Sequence, residues 1–314
     1  MTKTAFLFPG QGSQAVGMMS SLAEEHAEVK ATFAEASEVL GYDLWALVGN
    51  GPAEELNKTE VTQPAMLVSG IATWRVWLAA GGQLPDYFAG HSLGEYSALV
   101  AAGVMPFEDA VSVVAARGRY MQEATPAGSG AMAAVIGLED QQLLEICEKA
   151  QQGQVVACAN FNSPGQVVIS GDKDAVARAG ELANEAGARR VLPLPVSVPS
   201  HCMLMMPAAS KLQELLLGVR LSDGNAPVIQ NADVVAYADA EQVREALARQ
   251  LWQPVRWTET IQYLIDAGVE TFVECGPGKV LAGLNRRISR EPSVIALTDH
   301  ASLEKALAAG NENE

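Results

Sequence analysis

The sequence predicts an α/β protein in which a small βαββαβ unit interrupts a larger α/β unit. Three observations carry this expectation. Apolar runs of strand length alternate with longer segments of helical periodicity over most of the 314 residues. Between AGSG (Ala127–Gly130) and Ser197 the rhythm shortens to six brief segments, and long helices then resume. Hydrophobic content of 49% and charged content of 18% are those of a globular chain long enough to bury a large core.

In order, TAFLFP reads as a buried strand followed by a GQG turn and a helical stretch ending near Gly41. A second helix, Met66 to Ala80, follows VTQPA, and LPDYFAG leads into a strand before GHSLG. A helix from Phe107 to about Glu123 stops at Thr125-Pro126. Then AMAAVIG, LEDQQLLEICEKAQQ, QVVACANFN, GQVVISG, DAVARAGELANEAGA and RRVLPLPV read as β, α, β, β, α, β, the split βαββαβ order. This predicts a small subdomain over 128–196 inserted into a large one formed by 1–127 and 197–314. Long helices and a late strand, TFVECG, complete the large unit, and AAGNENE reads as a frayed tail.

The charge balance of 21 basic and 37 acidic residues, net −16, argues against general nucleic-acid binding. The N-terminal apolar run is broken by Pro9 and Gly10, too early for a signal-peptide core, and no stretch approaches the roughly 18 to 20 apolar residues that cross a bilayer. A cytoplasmic protein without membrane contact is expected. Cys147, Cys158, Cys202 and Cys275 form no CxxC pair and no Cys/His ligand spacing, so reduced thiols and no metal are expected.

GHSLG (Gly90–Gly94) fits G-x-S-x-G, the strand-turn-helix elbow that leaves a serine hydroxyl standing clear and points the next N–H, here that of Leu93, at an oxyanion. Flanking glycines are expected to permit the sharp turn. A serine needs a base, and histidine suits neutral pH. His26 sits on a Glu-rich face, His300 lies near the end of the chain, and His91 points away from its neighbour on a sharp turn, which leaves His201 in VPSHCMLMMP. No carboxylate stands out to orient it, and a carbonyl accepting the Nδ1 proton would serve. On the helix after Pro106, Val111, Val113, Val114, Tyr120 and Met121 share a side with Arg117, opposite Glu108, Ser112, Arg119 and Glu123. An inward guanidinium requires an anionic partner, either an internal Asp or Glu or a substrate carboxylate.

FPGQGSQ (8–14), VTQPA (61–65), GHSLGEY (90–96), Arg117-Gly118, Ser200-His201 and ECGPGKVL (274–281), spread from Phe6 to about Ile288, together resemble the malonyl-CoA:acyl carrier protein transacylases of bacterial fatty acid synthesis. The resemblance implies an α/β hydrolase-like large subdomain with a ferredoxin-like insert. It also implies transfer of malonyl from malonyl-CoA to the phosphopantetheine thiol of acyl carrier protein through a malonyl-serine, with no cofactor. By motif, Ser92 is the nucleophile, His201 the base, Gln11 and the Leu93 amide the oxyanion hole, and Arg117 the clamp on the malonyl carboxylate. Gln250 in ARQLWQP holds His201 through its main-chain carbonyl, with Gln253 close by. Gln63 and Asn160 are further pocket candidates. An acidic carrier protein would dock on local cations, for which Arg189, Arg190, Lys279, Arg286 and Arg287 are the candidates.

Two other chemistries are weighed against this one. Gly10 to Ala15, GQGSQA, formally fits a dinucleotide fingerprint, yet the expected acid-tipped second strand is replaced by helix. Thioester hydrolysis uses the same serine and histidine, but an inward Arg117 disfavours an apolar acyl group. Hydrolysis is the nearer rival, and a non-catalytic or separately acting acyltransferase subunit of a polyketide or malonate-decarboxylating system is another alternative.

Overall fold

The computed structural model describes residues 2–196 and 198–311. Met1, residue 197, where the chain was expected to re-enter the larger unit, and the last three residues of the expected tail lie outside the described residues.

Nine strands form two sheets: β1 (Lys3–Phe8), β2 (Tyr87–Gly90), β3 (Gly130–Ile136), β4 (Val156–Ser163), β5 (Gln166–Asp172), β6 (Arg190–Pro193), β7 (Val228–Ile229), β8 (Val269–Cys275) and β9 (Ser293–Leu297). The first sheet is parallel, in the order β7-β2-β1-β8-β9. Its central strand is apolar on both faces, as a sheet covered by helices on both sides requires. Phe6 and Phe8 of β1 pack with Phe88, Trp74 and Trp77, while Ala5 and Leu7 pack on the other side with Phe272, Trp257 and Ile261.

The second sheet is antiparallel, in the order β4-β5-β3-β6, and belongs to the βαββαβ segment. One face carries Ala133, Val135, Val167 and Ile169 against the Asp140–Gln151 and Lys173–Glu185 helices. The other carries Met132, Ala134, Ala159 and Val168, of which Met132 and Val168 line a cavity at the carboxyl ends of β1 and β2. This sheet is tied to the segment before the Trp257–Asp266 helix, where Phe161 N–H donates to Val255 O (2.9 Å) and Val255 N–H to Ala159 O (2.8 Å). The mixed α/β fold with one parallel and one separate antiparallel sheet is as the sequence predicted.

Four local expectations differ. The helical stretch before Gly41 breaks at His26, whose extended backbone separates Ser20–Glu25 from Ala27–Leu40. VTQPA lies inside the helix Thr59–Ala79, with Pro64 in its second turn, where one helical hydrogen bond is forfeited. Strands β7 and β9 flank the sheet without having been foreseen. The Ala-Ala-Gly portion of the tail belongs to a helix, His300–Asn311.

Candidate active site

Ser92 stands between β2 and the helix Gly94–Ala101, on left-handed backbone with φ 52°. The flanking glycines serve close approach and not the turn itself. A Cβ on Gly90 would meet the Gly94 carbonyl group at 1.9 Å, and one on Gly94 would meet Phe8 O at 2.0 Å. Packed this tightly on β1, the first helical turn presents the Leu93 N–H and the Ser92 hydroxyl to a cavity of about 440 Å³, lined also by Gly10, Gln11, Arg117, Asn160 and His201.

His201 reaches the elbow from 109 residues downstream, its Nε2 2.8 Å from Ser92 Oγ. Its Nδ1 lies 2.7 Å from Gln250 O and 3.2 Å from Gln253 O. Carbonyls only accept, so Nδ1 carries the proton and Nε2 is left as the acceptor for the hydroxyl. The ring is buried, and burial, assisted by the positive field of Arg117, pushes its pKa down to about 3. His201 is thus neutral at physiological pH and able to accept a proton. His91 turns away, bonded to Asn162 Oδ1 at 2.8 Å and packed on Trp257. His26 and His300 meet each other at 3.2 Å, apart from the cavity-lining residues.

Arg117 is 1% exposed on the Phe107–Ala124 helix, inward as its periodicity predicted. Of the two open alternatives the internal Asp or Glu is not realised, since no ion pair to Arg117 occurs among the described residues. Its Nη1 donates to Gln63 Oε1 (2.8 Å) and its Nη2 to Gln250 Oε1 (2.9 Å), the guanidinium lies 5.5 Å from the Tyr96 ring centre, and Nε has no acceptor. Glu95, the nearest acid to influence it, is itself raised to about 8 by burial and holds its proton at neutral pH. The cavity therefore keeps a buried cation on the same lining as the serine, with amides and, among the described residues, no anion as its hydrogen-bond partners.

Gln250 does more than the sequence suggested. Besides offering its main-chain carbonyl to His201, its side chain accepts from Arg117 and donates through Nε2 to Ser92 O at 2.8 Å. The Ser92 carbonyl shares a peptide plane with the Leu93 N–H, so this contact sets the direction in which that N–H points. Gln63 is likewise a partner of Arg117, and its Nε2 lies 3.4 Å from Met121 Sδ. The side chain of Gln11 makes a long contact to Thr59 Oγ1 at 3.5 Å from its place on the cavity wall.

None of the five candidate cations is among the residues that line the cavity. Arg190 of β6 pairs with Ile136 of β3, which pairs with Gln166 of β5, and Gln166 Oε1 accepts from Arg287 Nη1. One member of each cluster, Arg190 and Arg287, is thus connected through Ile136 and Gln166 on adjoining strands. Arg286 and Arg287 end the Val280–Ile288 helix, which follows Lys279 and whose Val280, Leu281 and Leu284 line the cavity. Among the described residues no helix is long and apolar enough to cross a membrane, and all four cysteines are buried free thiols.

Residues 5–302 match the acyl transferase domain family. The malonyl CoA-acyl carrier protein transacylase of Salmonella typhimurium is 56% identical over 98% of this chain and 99% of its own, and that of Bacillus subtilis 47% over 98% and 97%. Among solved structures, an acyl carrier protein S-malonyltransferase from Vibrio cholerae superposes with a TM-score of 0.95 at 58% identity, covering 97% of this chain and 100% of that one. A malonyl-transacylase in complex with its type II polyketide acyl carrier protein superposes with a TM-score of 0.97 at 54% identity, covering 98% and 100%. By a family match that takes in both sheets and every residue of the cavity, this chain belongs to the acyl transferase domain family.

Proposed function

We propose that this protein transfers the malonyl group of malonyl-CoA to the phosphopantetheine thiol of an acyl carrier protein in fatty acid biosynthesis. The observation that carries the reading is the buried, carboxylate-free Arg117 in the same cavity as the Ser92–His201 pair. A guanidinium so placed selects an acyl group that brings its own negative charge, and its planar fork matches a carboxylate.

In the first half-reaction His201 Nε2 takes the Ser92 proton as Oγ attacks the thioester carbonyl. Negative charge developing on the carbonyl oxygen is received by the Leu93 N–H and by Gln11. Collapse returns the proton to the departing CoA sulfur and leaves malonyl-Ser92. In the second half-reaction the pantetheine thiol gives its proton to His201, attacks the ester and regenerates the serine. Arg117 holds the malonyl carboxylate throughout, and the Gln250 carbonyl keeps the imidazole in the competent tautomer. Every step is assigned to protein groups and the two substrates. Residues 128–196 act as the small subdomain whose Met132, Val168 and Leu194 close the cavity over the acyl group. Arg189, Arg190, Arg286, Arg287 and Lys279 supply the cations on which the acidic carrier protein docks. The solved complex with a polyketide carrier protein favours a second reading of pathway, though not of chemistry.

Arg117→Ala tests the reading. Truncating one partner of a buried charge pair costs roughly 2 to 5 kcal/mol, so malonyl transfer should fall about 30-fold to several thousand-fold, while acetyl transfer falls far less. Equal losses for malonyl-CoA and acetyl-CoA would make Arg117 a structural residue and remove the basis for a charged substrate.

A further inference from the structure

The elbow is held from behind by a residue that none of the motifs contains. Asn231 follows β7, which pairs with β2 at Phe88↔Val228 and Ala89↔Ile229 and goes no further. Beyond that point the side-chain amide of Asn231 takes over the ladder. Its Oδ1 accepts the Ser92 N–H at 2.6 Å, and its Nδ2 donates to Gly90 O at 2.6 Å. The main-chain N–H of Asn231 in turn donates to Glu95 Oε2 at 2.7 Å, from the first turn of the following helix. Asn231 and Glu95 are both fully buried. One side chain and one carboxyl thus touch residues 90, 92 and 95, spanning the strand end, the nucleophile and the helix start.

A planar amide is suited to this place. Ser92 has left the extended conformation for the left-handed region, so a second strand cannot follow it, and a buried N–H and a buried C=O would be left without partners. Only a side chain with a donor and an acceptor in one plane meets both. We propose, on the reading of Ser92 as nucleophile, that Asn231, braced by Glu95, is a positioning residue that fixes the Ser92 backbone so that its hydroxyl meets His201 and the Leu93 N–H faces the acyl oxygen. A residue in this role governs the rate of Ser92 acylation more than the affinity for the acyl donor.

The test uses the full chain and its Asn231→Ala and Asn231→Asp variants. Rates of adduct formation are read by rapid quench and intact mass across malonyl-CoA concentrations, alongside thermal melting. Asn231→Ala should acylate at least tenfold more slowly at saturation with its half-saturating concentration little changed, and a folded Ala variant within about twofold of the parent rate overturns the proposal, the scale being set by the 100-fold or more lost when an oxyanion donor is removed outright. Asn231→Asp decides the matter even where the Ala variant does not fold. Its carboxyl can accept from Ser92 N–H, but it can donate to Gly90 O only when protonated. The charged or titratable groups around this spot are Glu95, the imidazoles of His91 and His201 beside Ser92, both lowered in pKa by burial, and, beyond them, Arg117 and Asp233. From about pH 7 down to about pH 5 Glu95 stays protonated, so the Asp variant should gain rate as the pH falls while the parent stays level, because a buried carboxyl takes up its proton in this range. Parallel profiles for the two proteins overturn the proposal. If the parent forms no malonyl adduct at all, the functional reading fails separately, and a serine-reactive fluorophosphonate then reports the effect of Asn231 on Ser92 independently of the acyl donor.

Discussion

Ser92 and His201 both occupy left-handed backbone, with φ of 52° and 61°. For residues bearing a Cβ this conformation costs about 1 to 2 kcal/mol each. Hydrogen bonds from distant segments hold both in place: Ser92 N–H and C=O are bonded to Asn231 and Gln250, and His201 N–H donates to Leu251 O at 2.9 Å. The buried imidazole makes a pH prediction. With its pKa pushed down to about 3 by burial and by Arg117, His201 stays neutral well into the acid range, so kcat/KM for acylation should remain level below pH 6.5. An acid limb near the ordinary histidine value of 6.5 in that profile would contradict the structure. For stability the sign is equally definite: below 6.5 the unfolded chain protonates this histidine and the folded chain does not, so the fold loses stability as pH falls. At this scale the sequence was most legible where chemistry demands a rare residue type. Four histidines leave few candidate bases, and one inward arginine interrupts an apolar face. Asn231, Glu95 and the side chain of Gln250 were not legible, because an amide or a carboxyl bonded across more than a hundred residues leaves no local pattern.

Among elements, the ECGPGKVL segment has a physical reason that its residues alone do not disclose. Glu274, at the end of β8, folds back so that Oε1 accepts from Leu281 N–H (3.0 Å) and Oε2 from Ala282 N–H (2.8 Å), satisfying the free amides that open the Val280–Ile288 helix. Glu274→Ala leaves both buried amides without a partner, at roughly 1 to 3 kcal/mol each. A correspondingly lower denaturation midpoint in guanidinium is expected, with Glu274→Gln losing less, and an unchanged midpoint for the Ala variant would show that the helix is capped otherwise. Burial raises this carboxyl to about 7, so its contribution declines as pH climbs from 4.5 through that value, a decline that Glu274→Gln should lack. The long helices and the six elements of the insert were readable from periodicity and turn residues. The two-residue β7 is too short to carry any pattern, and VTQPA was misplaced because proline ordinarily marks a helix boundary, whereas here it sits one turn inside.

Across the whole molecule, the cavity is assembled from the antiparallel sheet and the two stretches of chain on either side of it. The elbow and Arg117 precede the antiparallel sheet, and His201 and Gln250 follow it. Residues of that sheet, Met132 and Val168 among them, line the space between. A change of rhythm in the sequence disclosed the six elements around the antiparallel sheet, but that Met132 and Val168 of this sheet line the cavity follows only from the tertiary structure. The central claim is that this arrangement makes Ser92 a nucleophile for a malonyl thioester. Intact-protein mass spectrometry after brief mixing with malonyl-CoA tests it most directly. One malonyl adduct per chain, located on Ser92 and discharged by a pantetheine thiol, is predicted; an adduct that persists in Ser92→Ala, or none in the parent protein, would contradict it.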